Sequence, residues 1–135
     1  MLGFLLHAAL PISFVTDLRT LIRLVGATLI AFGAGVSAAV VRAFRAAPTP
    51  VSPRLPTTRI VRTGPYRYSR NPDYVGQVFV YIGATLVANT WWPMFLAPFV
   101  LAAIHRGVVQ REERYLEAKF GIEYLNYKAR VPRWL

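Results

Sequence analysis

Two segments of the sequence carry residue types that could hold a small charged ligand. The first is Gly64-Pro-Tyr-Arg-Tyr-Ser-Arg-Asn-Pro-Asp-Tyr-Val-Gly76. Asn71 as cap, Pro72 at the first helical position and Asp73 in the first turn predict the start of a helix. Free amides at such a helix end attract a carboxylate, and in an extended run Tyr66 and Tyr68 would share a face on which a flat ring could stack. The alternative is a helix boundary with two interfacial tyrosines, and spacing alone leaves both open.

The second segment is Arg111-Glu112-Glu113-Arg114. Neighbouring glutamates on a helix point about 100° apart, so one can face a ligand while the other contacts an arginine such as Arg70 or Arg106. A ribose diol or an ammonium group would suit the first carboxylate. The alternative is a solvated helix face, because mixed charges next to a membrane commonly have no other role.

Long uncharged runs predict the helices that must position these segments. Leu24 to Val41 has 18 residues without a charge, enough to cover about 27 Å of a bilayer. The uncharged stretch from 74 to 104 is interrupted by Asn89-Thr90-Trp91-Trp92-Pro93, which predicts a helical hairpin with arms at about 74–88 and 93–108. The sequence therefore predicts an all-α, polytopic membrane protein. Leu2 to Val15 is apolar but short, so its place as a span stays open.

Composition narrows the class of protein. The chain has 135 residues, of which 55% are hydrophobic, and it carries a formal net charge of +10. The basic residues lie between apolar runs rather than along one surface, which favours a membrane protein over a nucleic-acid-binding one. No cysteine and two isolated histidines argue against a metal site.

The basic residues also predict an orientation. Of the 16 Lys and Arg residues, 14 lie in 42–73 and 106–135, the segments that flank the hairpin. The positive-inside rule places both segments in the cytoplasm and Trp91 on the far side. We therefore expect one membrane domain over 1–135, with N-terminal spans in 1–45, a Pro-rich connector at 46–63 and a functional core at 64–135.

Residues 60–135 resemble a known family. The pattern Gly-x-Tyr-x-x-x-Arg-His-Pro-x-Tyr-x-Gly, followed by a hydrophobic hairpin, Glu-Glu, Phe-Gly and spaced tyrosines, is similar to that of isoprenylcysteine carboxyl methyltransferases and phospholipid methyltransferases. The resemblance is specific because two separated motifs agree in order and topology. The matching residues are Gly64, Tyr66, Arg70, Asn71, Pro72, Tyr74, Gly76, Glu112, Glu113, Phe120, Gly121, Tyr124 and Tyr127.

This resemblance implies an enzyme of the bacterial inner membrane that uses S-adenosyl-L-methionine. Membrane lipids would surround it, and a lipophilic or lipidated acceptor, with a carboxylate as in isoprenylcysteine, would meet the cofactor at the cytoplasmic face. Arg111 and Arg133 are candidates for orienting an anionic acceptor, and Arg70, Asn71 and Glu113 for a catalytic role. The implied cofactor contacts are Tyr66, Tyr68, Arg70, Asn71, Pro72, Tyr74, Gly76, Glu112 and Glu113.

Asn71 departs from the pattern, which has His at this position. An amide forms hydrogen bonds at similar reach but does not titrate near neutral pH, so it cannot shuttle a proton. A carboxylate acceptor needs no strong base, whereas an amine acceptor must be neutral. The alternatives are a phospholipid or amine N-methyltransferase, a nicotinamide-dependent membrane reductase, and a non-catalytic membrane scaffold.

Overall fold

The computed structural model describes residues 19–47 and 58–135. Its helices are α1 (Arg19–Ala46), α2 (Pro72–Val87), α3 (Trp92–Ile104), α4 (Gln110–Phe120) and α5 (Ile122–Arg130), with a 3₁₀ turn at Gly64–Arg67 and a π-helical turn at His105–Val109. No strand occurs in these ranges, and the all-α prediction is confirmed. The segment 2–15 and most of the predicted Pro-rich connector lie outside the described residues.

Helices α1 and α2 pack against each other through glycines. A Cβ added at Gly26 would lie 2.7 Å from the carbonyl oxygen of Gly83, and one added at Gly76 would lie 2.9 Å from that of Gly33. The two helices are antiparallel, because Gly26 lies opposite Gly83 and Gly33 lies opposite Gly76. These two contacts are about two helical turns apart along each helix. Without side chains at these four positions the two backbones approach closely, as small residues permit in membrane helix pairs.

The second arm of the hairpin does not end at the predicted boundary near 108. Helix α3, the π turn and α4 follow without a break, so that helical structure runs from Trp92 to Phe120. Charged residues after 110 end the apolar stretch but are good helix formers, and hydropathy therefore marked the edge of the apolar stretch rather than the end of the helix. At the other end of α3, the Tyr81 hydroxyl donates to the Pro93 carbonyl at 2.6 Å and joins the two arms.

Two helical segments, Arg19–Ala46 and Trp92–Phe120, are long and apolar enough to cross a membrane. They are not buried core helices, because large apolar side chains on them are exposed. Such surfaces suit lipid rather than water, and we conclude that this is an integral membrane protein. The exposed side chains include Leu21, Leu24, Val25 and Phe32 on the first segment and Phe95, Phe99 and Val100 on the second.

The C-terminal part forms a small helical cap with its own core. Gly121, at φ 52°, separates α4 from α5 and lets the chain turn back. Tyr124, Tyr127 and Val131 are buried there. Ile60, from the loop before α2, packs on this cluster together with Leu116 and Phe120.

Candidate functional site

The loop before α2 and the C-terminal cap are joined by hydrogen bonds between distant parts of the chain. The Tyr127 hydroxyl donates to the Tyr66 carbonyl at 2.8 Å, and the Arg70 amide donates to the Pro132 carbonyl at 3.0 Å. The two segments that carry the sequence motifs therefore lie side by side.

A cluster of three charged residues lies at this junction, with Arg70 and Glu113 largely buried and Arg133 partly exposed. Arg70 Nη1 is 2.8 Å from Glu113 Oε1, while Arg133 donates from Nε to Oε1 at 2.9 Å and from Nη2 to Oε2 at 2.8 Å. Glu113 is only 6% exposed. Both of its oxygens are engaged, so Glu113 fixes two arginines in place. One of the two adjacent glutamates therefore contacts Arg70, which the sequence analysis gave as one possible partner.

A cavity of about 410 Å³ opens between α1, the loop, α2 and the cap. Its volume is in the range of small-molecule sites, about 300–1,000 Å³. One part of its wall is aromatic, since Phe44 and Tyr66 make an edge-to-face contact with ring centroids 5.6 Å apart. The lining residues are Val40, Val41, Phe44, Arg59, Ile60, Val61, Tyr66, Arg70, Asn71, Asp73, Tyr74, Glu112, Glu113, Leu116, Tyr124 and Tyr127.

Several polar groups of this cavity have capacity for a ligand. The Nε atom of Arg70 is buried and has no hydrogen-bond partner among the residues that the structure describes. Glu112 likewise makes no ion pair or hydrogen bond within 19–47 and 58–135. Burial, together with the nearby carboxylates of Glu112 and Asp73, holds the pKa of Tyr66 well above its ordinary value. The cavity thus combines an unsatisfied cationic donor with the carboxylates of Asp73 and Glu112, neither of which forms an ion pair within the described ranges.

Six of the predicted site residues meet in this cavity: Tyr66, Arg70, Asn71, Tyr74, Glu112 and Glu113. Five do not line it. Pro72 is buried in the first turn of α2, and Gly76 contacts α1. Arg111 is exposed, and Arg133 pairs with Glu113 instead of presenting its guanidinium to the cavity.

Tyr68, the fifth of these, shows that the expectation of an extended run was wrong. Residues 64–67 form a 3₁₀ turn, in which alternate residues do not share a face. Tyr66 therefore lines the cavity, whereas Tyr68 is 70% exposed. Glycine and proline at the start of this run favour such a turn.

Asn71 occupies the N-cap position and α2 begins at Pro72, as the sequence predicts, but Asn71 does not cap the helix with its side chain. Its side chain makes no capping hydrogen bond to α2; its Nδ2 donates to the Arg133 carbonyl at 3.0 Å. Asn71 therefore ties the start of α2 to the C-terminal segment. A capping pattern cannot reveal this, because the competing acceptor lies 62 residues away in the sequence.

Sequence reasoning missed the part of the cavity that α1 supplies. Val40 and Val41 at the end of the predicted apolar span line it, as does Phe44 just beyond that span, and none of the three has a distinguishing signal. Asp73 was assigned only to the helix dipole, although it also lines the cavity. Its position next to Tyr74 in the motif was the signal available for it.

A second cavity, of about 590 Å³, separates α2 from α3. It is mainly apolar, with Arg106 at its edge, and Val75 lines it while the preceding Tyr74 lines the first cavity. The two cavities therefore lie on different sides of the start of α2. The second is lined by Val75, Val78, Phe79, Leu101, Ala102, His105, Arg106, Trp134 and Leu135.

No group of three metal-ligating side chains occurs in the described ranges.

Comparison with known proteins gives consistent matches. The sequence profile of the phospholipid methyltransferase family matches residues 21–123. A protein-S-isoprenylcysteine O-methyltransferase of Saccharomyces cerevisiae is 35% identical over 72 residues, which are 53% of this chain and 30% of the relative. The protein of the same name from Schizosaccharomyces pombe is 32% identical over 73 residues, 54% of this chain and 31% of the relative.

An uncharacterized protein of Haemophilus influenzae is 54% identical over 37 residues, 27% of this chain and 57% of the relative. The chain thus spans about a third of the length of the two yeast relatives. No solved structure gives a significant match.

Proposed function

The chain belongs to the phospholipid methyltransferase family, and on this premise we propose that it transfers a methyl group from S-adenosyl-L-methionine to a lipophilic carboxylate at the cytoplasmic membrane face. The observation that carries the proposal is the cavity in which the family's motif residues meet, with its unsatisfied Arg70 Nε and the carboxylates of Asp73 and Glu112.

These residues fit the cofactor's chemistry. S-adenosyl-L-methionine carries a carboxylate, two positive groups and an adenine ring. Arg70 Nε would donate to the carboxylate and thereby satisfy a buried donor that otherwise lacks a partner. Glu112 and Asp73 would hold positive groups or ribose hydroxyls, and the rings of Phe44 and Tyr66 would contact the adenine.

The apolar cavity suits the acceptor's hydrocarbon chain. It lies between α2 and α3, on the other side of the start of α2 from the polar cavity. Lipid access from the bilayer would bring the acceptor's polar end towards α2's first turn. Arg106 at the edge offers an anionic headgroup a cation that, unlike Arg133, is not held by a carboxylate of the described chain.

S-adenosyl-L-methionine bound here would supply a methyl group carried on a sulfonium, and sulfur would keep the electron pair of the broken carbon–sulfur bond when the acceptor oxygen takes that group. The chain's own contribution is to position both partners and to exclude water. Glu113 keeps Arg70 in place, and the raised pKa of Tyr66 keeps its phenol protonated and neutral. A carboxylate acceptor has no proton to lose, which agrees with an amide at position 71.

Binding of S-adenosyl-L-methionine to the purified chain tests the proposal. Arg70→Lys retains a cation for Glu113 but removes the Nε donor, and we expect roughly tenfold weaker binding by calorimetry. Arg62→Lys is the matched control, because Arg62 pairs with the exposed Glu123 away from the cavity. No binding by the parent chain, or equal binding by Arg70→Lys, would contradict the proposal.

The acceptor class is tested separately with an S-prenylated N-acylcysteine and methyl-labelled cofactor. A methyl ester releases its label as methanol in mild base, whereas a methylated amine keeps it. We expect base-labile product. A base-stable product would instead indicate an amine acceptor.

A further inference from the structure

Asp73 lies in the first turn of α2 and lines the polar cavity. Both of its carboxylate oxygens accept hydrogen bonds: Oδ1 from the Ser37 hydroxyl at 2.9 Å, and Oδ2 from Gln77 Nε2 at 2.8 Å. Ser37 belongs to α1 and Gln77 to α2, so donors from two helices fix the carboxylate. Its orientation is therefore set by the packing of the helices.

The two donors to Asp73 are neutral, and this distinguishes it from Glu113. Glu113 is neutralised by two arginines, whereas Ser37 and Gln77 orient Asp73 without cancelling its charge. The second uncompensated carboxylate of the cavity is Glu112, which has no partner among the described residues. Two negative charges thus remain available to a cationic ligand.

A further observation concerns the arginine of the same cavity. Arg70 Nε is buried in the same wall without an acceptor. A site with both an unsatisfied cationic donor and two carboxylates that form no ion pair among the described residues matches a ligand that carries charges of both signs. A simple cation would leave the arginine unsatisfied.

We propose that Asp73, oriented by Ser37 and Gln77, makes the cavity selective for the positively charged sulfonium cofactor over its neutral thioether product. This inference rests on the proposed function. Methyl transfer removes the positive charge from sulfur, so the attraction to Asp73 is lost when the reaction is complete. The site would then release S-adenosylhomocysteine more readily than it releases S-adenosyl-L-methionine, which reduces product inhibition.

The test compares the affinities of S-adenosyl-L-methionine and S-adenosylhomocysteine for the purified full chain. The parent should prefer the sulfonium form, and Asp73→Asn should reduce that preference roughly tenfold, mainly by weakening sulfonium binding. Ser37→Ala keeps the charge but frees Oδ1, so we expect a smaller reduction. Glu123→Gln removes one carboxylate outside the cavity and should leave the preference unchanged.

The ratio of the two affinities distinguishes recognition of the sulfonium by Asp73 from other roles of this residue. If Asp73 holds the α-ammonium group, which both ligands share, Asp73→Asn weakens both equally and the inference fails. A parent that binds both ligands without preference also contradicts it, while a parent that binds neither contradicts the proposed function itself. If Asp73→Asn does not fold, Ser37→Ala decides: a lowered ratio supports selectivity by Asp73, and an unchanged ratio overturns it.

Discussion

Arg70 and Glu113 lie 43 positions apart in the sequence and form a buried ion pair, with Arg70 Nη1 2.8 Å from Glu113 Oε1. The pair joins the loop before α2 to the helix after the hairpin. It brings together two motifs that the helical hairpin separates in the sequence, because Glu113 of the second motif holds the arginine of the first. Adjacent glutamates consequently have different environments, with Glu113 engaged and Glu112 open to the cavity.

Glu113→Gln should destabilise the fold strongly. The change leaves the buried Arg70 without a counter-charge, and removing one partner of a buried pair lowers the free energy of unfolding by about 3–5 kcal/mol. Thermal unfolding of the detergent-solubilised protein measures the effect. Glu123→Gln, at an exposed pair with Arg62, should change stability by less than about 1 kcal/mol. Equal melting temperatures of the two variants would show that the buried ion pair contributes no more to stability than the exposed one.

Gly26→Ala tests the close packing of α1 on α2. The added Cβ would lie 2.7 Å from the Gly83 carbonyl oxygen, so the helices must separate, and we expect a loss of about 1–3 kcal/mol in the free energy of unfolding. Gly35→Ala is the matched control on the same helix, because its Cβ meets no atom within 4 Å. It should leave stability unchanged or raise it by up to about 1 kcal/mol. Destabilisation by both variants would instead indicate that replacing a glycine in α1 is unfavourable whether or not it contacts α2.

Alkaline pH should weaken the junction between loop and cap. Burial, and then Tyr124, raise the pKa of Tyr127 to about 12 from 10.0. Since the folded state favours the neutral phenol, this stabilisation is complete below pH 10 and is lost as pH rises towards 12.

Tyr127→Phe lacks the hydrogen bond to Tyr66 and should start about 1 kcal/mol less stable, with a shallower loss between pH 10 and 12. Unfolding curves across that range measure the difference. Tyr68→Phe, at an exposed tyrosine, should follow the parent. Parallel pH curves for the parent and Tyr127→Phe would mean that Tyr127 does not contribute to the alkaline loss.

Sequence reasoning was most successful where one physical rule dominates. Uncharged runs predicted α1, α2 and α3, because a hydrocarbon environment requires helices, whereas the charged α4 and α5 lie outside those runs. It failed where neighbouring parts of the chain compete: Asn71 has a capping sequence, but its side chain donates to the Arg133 carbonyl. Likewise Arg133, a basic residue near the end, pairs with Glu113, which no local pattern indicates. The contribution of α1 to the cavity depended on helix packing.

The orientation in the membrane is a prediction that cysteine labelling tests. The chain has no cysteine, so single cysteines at Thr63, Ala88 and Leu125, all exposed, can be probed with an impermeant thiol reagent on intact cells. The positive-inside rule predicts labelling at 88 alone, with 63 and 125 reactive only after lysis. Labelling at positions 63 and 125 on intact cells would show that the orientation is the opposite of the predicted one.

Asn71 gives the sharpest test of the acceptor's chemistry. Its Nδ2 donates to the Arg133 carbonyl at 3.0 Å while the residue lines the cavity, and a histidine N–H can make the same hydrogen bond. Asn71→His should therefore keep most activity, whereas Asn71→Ala should lose about 0.5–1.5 kcal/mol of stability with the hydrogen bond. Asn126→His, on the exposed face of α5, controls for an added histidine.

The rate measured against pH for one acceptor separates two roles of position 71. If the residue only holds the C-terminal segment and the cofactor, parent and Asn71→His have the same profile, because a carboxylate acceptor is already ionised. If a base at this position must deprotonate an amine acceptor, the histidine adds a limb to the profile with an apparent pKa of about 6.5. We expect no added limb. A limb in Asn71→His that is absent from the parent and from Asn126→His would contradict a carboxylate acceptor.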